Sequence, residues 1–256
     1  MHRKPAPFKA VARRRLGRLG LVAVMPDFGI ESLARYLHLT PQQVARLAER
    51  GKLPGRKVAG KWRFARAEIH HWLEQRIGLE EDAVVDMQGL LQPTASEREI
   101  VIADLLPPVA IAIPLAARTR AAVFTAMIEL AGRTGWLWDP HKMLEAVQAR
   151  EELYPTALDN GVALLHPRRP MAAILAQAFL ALGITPSGLP FGGNRGALTD
   201  VFFLICSTDD RGHLRTLAKL SRILNAPGFL ESLRQAGHAQ SAHQLIARTE
   251  AALPAD

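Results

Sequence analysis

The sequence predicts an α/β protein of two domains, in which a small helix-turn-helix with a β-hairpin precedes a larger layered α/β domain. Residues 1–80 hold 17 Lys/Arg and 6 Asp/Glu, whereas residues 81–256 hold 15 and 18, so the basic character belongs to the first part. Longer apolar segments that alternate with helical ones begin near residue 100. Such alternation is typical of a sheet covered by helices, and 256 residues suit two modest domains.

Two short helices are predicted first. Apolar residues at i, i+3, i+4 and i+7 from Ile30 form one helical face. Thr40 is placed to cap the second helix, Pro41 suits its first position, and Gln43 completes a capping box. Gly51 is well placed to end that helix. Two helices joined by a short turn make a helix-turn-helix.

A tight hairpin follows the second helix. Polar and apolar residues alternate on either side of Ala59-Gly60, as such a turn requires. Trp62 and Phe64 are expected to face the core. A third helix comes next, and its predicted buried residues are Ile69, Trp72 and Leu73.

This order of helix, turn, hairpin and closing helix resembles the excisionase-like, MerR-type winged helix-turn-helix family. The matching residues are 33–37, 51–58, 61–64 and 69–73. The resemblance implies binding to double-stranded DNA, which the positive charge of this part also favours. Base edges would be reached from the start of the second helix, by Gln42, Gln43 and Arg46. Phosphate or the minor groove would be met by Arg56, Lys57, Lys61 and Arg63. A solvated basic face is the alternative.

These patterns divide the chain into four predicted segments: a basic, disordered arm at 1–25, the winged helix-turn-helix at 26–78, a linker at 79–96 and the α/β domain at 97–256. No stretch approaches the ~20 apolar residues of a membrane span. The single Cys206 fits a reducing compartment. We therefore expect a cytoplasmic protein that does not insert into a membrane.

Several elements are predicted in the larger domain. Apolar residues 100–106 and 109–115 suggest strands or strand-like entries. Strands are also expected at 162–165 and 198–206, and the second of these is apolar at consecutive positions, like a strand buried on both faces. Helices are predicted over residues 119–130, 142–150, 214–224, 228–236 and 242–251.

His166 ends the strand at 162–165 and precedes Pro167, with Arg150 upstream and His213 downstream. A neutral imidazole is a good nucleophile, and the usual histidine pKa near ~6.5 leaves much of it neutral. Phosphoryl transfer needs alignment and positive charge around the oxygens, which an arginine can supply as a bidentate fork. The pattern indicates a phosphoryl acceptor with an accessible ring. A histidine that is only packed or solvated is the alternative.

From about residue 102 to 253 the sequence resembles the type-2 EIIA domains of the bacterial sugar phosphotransferase system, the fructose, mannitol and nitrogen-related group. The resemblance rests on Ile102–Leu106, Arg150-Glu151, Asn160–Ala163, His166 and parts of 204–220. It implies a mixed sheet flanked by helices and transfer from phospho-HPr, or a related phosphocarrier, to His166. His213 and Arg150 would line the same site. Donor and acceptor would both be phosphohistidines, so no cofactor or metal is implied.

Three residues depart from the family pattern. Leu165 and Pro167 stand where the family commonly has proline and glycine, and Asp159 would bring a carboxylate near the site. The leading hypothesis is a DNA-binding regulator whose EIIA-like domain accepts a phosphoryl group on His166. The alternative is a DNA-binding protein whose EIIA-like domain has lost phosphotransfer and serves for docking or dimerisation. A transport component is a third hypothesis, disfavoured by the DNA module. Each of these hypotheses leaves open whether the protein forms a homodimer.

Overall fold

The computed structural model describes residues 27–37, 39–65, 68, 69, 72, 99–193 and 196–253. The predicted arm and linker, and Leu73, lie outside these residues. Helix α1 spans Ile30–Tyr36 and helix α2 spans Pro41–Glu49.

The capping box predicted for α2 is present. Thr40 Oγ1 accepts a hydrogen bond from the Gln43 amide at 3.2 Å, and Gln43 Oε1 accepts one from the Thr40 amide at 2.8 Å. Pro41 occupies the first turn, where no intrahelical N–H is needed. The chain then turns at Gly51, whose φ of +68° favours glycine. The sequence therefore predicted both ends of α2 correctly.

The hairpin consists of β1 (Arg56–Val58) and β2 (Lys61–Arg63), paired antiparallel. Its turn residues Ala59 and Gly60 both have positive φ, +50° and +76°, as a type I′ turn requires. Phe28 and Phe64 exchange two backbone hydrogen bonds, which join the hairpin to the chain ahead of α1. Phe64 is fully buried as predicted, while Trp62 is partly buried.

The larger domain contains a four-stranded mixed sheet with helices around it. The strands are β3 (Ile111–Ala112), β4 (Val162–Leu165), β5 (Phe179–Pro190) and β6 (Leu198–Cys206), in the order β3-β5-β6-β4. β5 pairs antiparallel with β6, and the outer strands pair parallel. The helices are α3 (Ile102–Leu105), α4 (Arg120–Gly132), α5 (Pro140–Leu153), α6 (Asp210–Leu224), α7 (Phe229–Arg234) and α8 (Ala239–Ala252).

Of the strands or strand-like entries predicted at 100–106 and 109–115, the first is wrong and the second is a strand only at β3. The first segment holds the short helix α3, because Glu250 on α8 accepts hydrogen bonds from the amides of Ile102 and Ala103 and so caps a helical turn. The second holds a 3-10 turn over Pro108–Ala110 and the two-residue strand β3. The prolines of this region lack the N–H that a strand ladder needs.

Consecutive residues of β4 and β6 contact different layers of the core. One layer contains Val162, Leu164, Val201, Phe203 and Ile205 with side chains of α6, α7 and α8. The other contains Ala163, Leu165, Phe202, Leu204 and Cys206 with side chains of α4 and α5. Residues 201–206 are at most 1% exposed, so the prediction of a strand buried on both faces is confirmed.

Candidate functional site

The carboxyl ends of β4 and β6 lie side by side, because the strands are parallel and Leu165 pairs with Leu204. His166 follows β4 and Ser207 follows β6. The polypeptide then turns into α6, whose first turn carries His213. Asp209 caps this helix by accepting a hydrogen bond from the Gly212 amide at 2.7 Å. Topology thus brings both histidines to one edge of the sheet.

The two imidazoles are neighbours. Their ring centroids are 5.0 Å apart, with 51° between the planes. His166 is 3% exposed and His213 is 4% exposed, so the accessible ring expected from the sequence is not found. Pro167 is buried as well, and the start of α6 lies over the end of β4. The sequence correctly predicted that His166 ends a strand. It did not predict the burial of the ring, because α6, which covers it, follows in the chain only after β5 and β6.

One nitrogen of His166 is already engaged. Its Nδ1 lies 2.7 Å from the carbonyl oxygen of Leu164. A carbonyl can only accept, so Nδ1 carries the proton in this contact. In the neutral ring, the lone pair therefore resides on Nε2. Nε2 is therefore the nucleophilic nitrogen of this tautomer.

Arg150 lies in the last turn of α5 and is 7% exposed. Its Nη1 donates a hydrogen bond of 2.7 Å to the carbonyl oxygen of Tyr154. The chain just before β4 runs antiparallel to that strand, with Ala157 paired to Ala163. Continuing this register places Tyr154 opposite His166. The Tyr154 carbonyl therefore fixes the Arg150 guanidinium at the end of α5 that leads toward β4.

A buried carboxylate to which the sequence patterns assigned no role supports the loop between α5 and β4. Glu151 is 1% exposed and accepts hydrogen bonds from the amide and the hydroxyl of Thr156, at 3.0 and 2.7 Å. Arg120 Nη2 lies 3.7 Å from Glu151 Oε1. Burial raises the pKa of Glu151, and the bonds from Thr156 oppose this rise. Glu151 thus fixes the loop that carries the Tyr154 carbonyl.

The carboxylate of Asp159 was wrongly expected near the histidine. Leu158 pairs with Val162 at the start of β4, and Asp159 is exposed in the turn beyond it. His166 is at the other end of that strand, roughly 13 Å away at about 3.3 Å per residue. The departure at Asp159 therefore does not place a negative charge at the site.

The predicted DNA-contacting residues are all exposed on α2 and the hairpin: Gln42, Gln43, Arg46, Arg56, Lys57, Lys61 and Arg63. Three of them also have partners within the protein. Gln43 serves the capping box, Arg56 Nη2 lies 3.4 Å from Asp27 Oδ2, and Lys57 Nζ lies 5.2 Å from the Trp62 ring centroid. A basic surface is therefore present on the hairpin.

Residues 104–249, more than half of the chain, match the family described as phosphoenolpyruvate-dependent sugar phosphotransferase system, EIIA 2. The chain belongs to this EIIA family. Residues 28–77 match a helix-turn-helix domain, the kind of module that binds DNA. Both family resemblances stated from the sequence are confirmed, as is the α/β fold with its mixed sheet.

Similar proteins carry related names. A nitrogen regulatory protein of Bradyrhizobium diazoefficiens is 28% identical over 150 residues, which are 57% of this chain and 94% of that protein. A multiphosphoryl transfer protein of Vibrio cholerae is 35% identical over 107 residues, 42% of this chain and 26% of that protein. The crystal structure of nitrogen regulatory protein IIA-Ntr from Neisseria meningitidis superposes with a TM-score of 0.50 at 25% identity, covering 57% of this chain and 98% of that one. Across the described part of this chain, no helix has the length and apolarity to traverse a lipid bilayer.

Proposed function

We propose that this protein is a DNA-binding regulator whose EIIA domain accepts a phosphoryl group on Nε2 of His166 from a phosphohistidine carrier of the HPr type. The observation that carries the proposal is the pairing of His166 with His213, in which the hydrogen bond from Nδ1 of His166 to the Leu164 carbonyl puts the lone pair of the neutral ring on Nε2. The names of the Bradyrhizobium and Vibrio relatives, which speak of nitrogen regulation and phosphoryl transfer, agree with it.

The protein needs to contribute little to bond making in the transfer itself. The P–N bond to the carrier's imidazole breaks and a P–Nε2 bond forms on His166, while the electron pair of the broken bond stays on the carrier nitrogen. The proton of His166 stays on Nδ1 throughout and is donated in the hydrogen bond to the Leu164 carbonyl. The new phosphoryl group brings roughly two negative charges, and the Arg150 guanidinium and an N–H of His213 stabilise them.

Burial of His166 sets a requirement on this reaction. A ring that is 3% exposed reaches a carrier only after the side chains above it move aside. Tyr154 and Leu153, 54% and 55% exposed, lie at the end of α5 next to the loop that leads into β4. We expect the carrier to displace such groups as it docks, so that the acceptor nitrogen is exposed during transfer and shielded from water afterwards.

The test is phosphorylation with the general enzyme, HPr and labelled phosphoenolpyruvate. Wild type should take up acid-labile label, His166→Ala should take up none, and Arg150→Lys should be slower because one ammonium replaces the guanidinium fork. His141→Ala is the matched control, since His141 is a solvent-exposed histidine at the start of α5. Label that persists in His166→Ala would refute the assignment of the acceptor.

The burial of His166 also supports a second candidate function, in which the EIIA domain has lost phosphotransfer and serves for docking or dimerisation. Leu165 and Pro167 favour this alternative as well, because they flank the histidine in place of the usual residues. No label on wild type, together with retained affinity for DNA, would decide for it. Sedimentation of the unlabelled protein would then establish whether it forms a homodimer.

A further inference from the structure

Ser207 contacts both His213 and the loop that begins at His166. It follows β6 directly and is 4% exposed. Its Oγ is 3.0 Å from Nδ1 of His213. Its carbonyl oxygen accepts a hydrogen bond from the amide of Met171, which ends the loop that begins at His166. One residue therefore anchors the His213 ring through its side chain and the His166 loop through its backbone.

The direction of the Ser207–His213 hydrogen bond follows from the partners that are present. A buried hydroxyl proton without an acceptor carries a large desolvation cost. In the described part of the chain, the hydrogen-bond partner of the Ser207 hydroxyl is Nδ1 of His213. The hydroxyl therefore donates and Nδ1 accepts. In the neutral ring this leaves the proton of His213 on Nε2.

We infer that Ser207 is a positioning residue, which fixes His213 as the Nε2–H tautomer so that this ring presents a donor to a phosphoryl group on His166. The part of the inference that concerns the phosphoryl group rests on the proposed function. The part that concerns the tautomer of His213 rests on the structure alone. The opposite tautomer would present a lone pair to the phosphoryl oxygens, which are acceptors, and would repel them. The serine thus decides whether the second histidine assists or opposes the transfer.

Removing the hydroxyl changes this balance. In Ser207→Ala, Nδ1 of His213 loses its donor inside a buried site, and a proton on Nδ1 is no longer disfavoured. We expect a substantial population of the Nδ1–H tautomer. The rate of phosphorylation should fall by about tenfold, which is the factor that corresponds to the loss of one ordinary hydrogen bond. Ser207→Thr keeps the hydroxyl and should restore both properties.

The experiment combines histidine side-chain 15N NMR on the full chain with the labelling rate. His213→Asn identifies the His213 signals. Thr216→Val is the matched control, because its hydroxyl is also buried on α6 but donates to the Gly212 carbonyl at 2.8 Å. Wild type and Thr216→Val should show Nε2–H on His213, and Ser207→Ala should show a mixture.

Two results would overturn the inference: a wild-type His213 that carries its proton on Nδ1, or an unchanged tautomer and rate in Ser207→Ala. The wild-type spectrum alone decides the first point, even where a variant folds poorly. If wild type takes up no label, the proposed phosphotransfer fails, while the tautomer comparison still tests the role of Ser207.

Discussion

Glu250 provides the sharpest test of how the EIIA domain is held together. It projects from the end of α8 and is 9% exposed. Its two oxygens accept hydrogen bonds from the amides of Ile102 and Ala103, at 2.7 and 3.0 Å. Lys219 Nζ lies 3.4 Å from the same carboxylate. Replacement by alanine leaves two buried amides at the start of α3 without acceptors.

The size of the effect follows from these contacts. Each buried amide that loses its partner costs about 1–3 kcal/mol, so Glu250→Ala should lower the free energy of unfolding by about 2–6 kcal/mol. Glu250→Gln keeps one carbonyl oxygen and so one acceptor. We expect it to lose about half as much. Exposed Glu129 on α4 gives the control Glu129→Ala, which should stay within about 0.5 kcal/mol of wild type.

Hydrogen exchange at the amides of Val201–Ile205 is the suitable assay. These residues form the buried centre of β6, so their exchange reports unfolding of this domain independently of the helix-turn-helix. The order of protection should be wild type, then Gln, then Ala at position 250. If these amides are as well protected from exchange in Glu250→Ala as in Glu129→Ala, the cap does not stabilise the domain and the reasoning is wrong.

Three further predictions concern other parts of the protein. Burial raises the pKa of Glu151 above its ordinary 4.5, so its contribution to the free energy of unfolding is complete below pH 4.5 and is lost as the pH rises through the raised pKa. In denaturation curves, Glu151→Gln should therefore gain stability relative to wild type from pH 4.5 toward neutrality. A difference between the two proteins that does not change with pH would contradict this. Gly161 has φ +85° and an added Cβ would lie 2.6 Å from a guanidinium nitrogen, so Gly161→Ala should cost about 1–3 kcal/mol in urea unfolding, whereas Gly132→Ala, which meets nothing within 4 Å, should be neutral or slightly stabilising. Alanine at both Lys57 and Lys61 should weaken DNA binding and reduce the slope of log affinity against log salt by about two units in anisotropy titrations, and an unchanged slope would show that these lysines do not contact phosphate.

The sequence predicted the features that depend on neighbouring residues. The capping box of α2 needs only Thr40 and Gln43, three positions apart. The hairpin turn needs only Ala59-Gly60 between alternating residues. The buried strand β6 is visible as an unbroken apolar run. Each of these signals is local, so no knowledge of the rest of the fold was required.

Features set by distant partners could not be predicted in this way. The helix α3 was mistaken for a strand because a short apolar run has no distinctive period, and its cap, Glu250, is 148 residues away from Ile102. The burial of His166 depends on α6, which begins more than forty residues later. Asp159 was misplaced because sequence proximity was taken for spatial proximity along β4.

Family resemblance supplied what local patterns did not. It predicted that His166 and His213 share a site, and the two rings are indeed neighbours. It included Glu151 without a role, and it did not indicate Ser207 or Arg120. Their roles come from hydrogen bonds and ion pairs that only the folded chain brings together.

The contacts of Glu250 with α3 have an architectural consequence. They join the start of α3 to the last turn of α8, so the first and last helices of the EIIA domain are in direct contact. A unit with adjoining ends can be spliced to other modules without spreading its own strands apart. This is a physical reason why the fold accommodates a helix-turn-helix ahead of it in this chain.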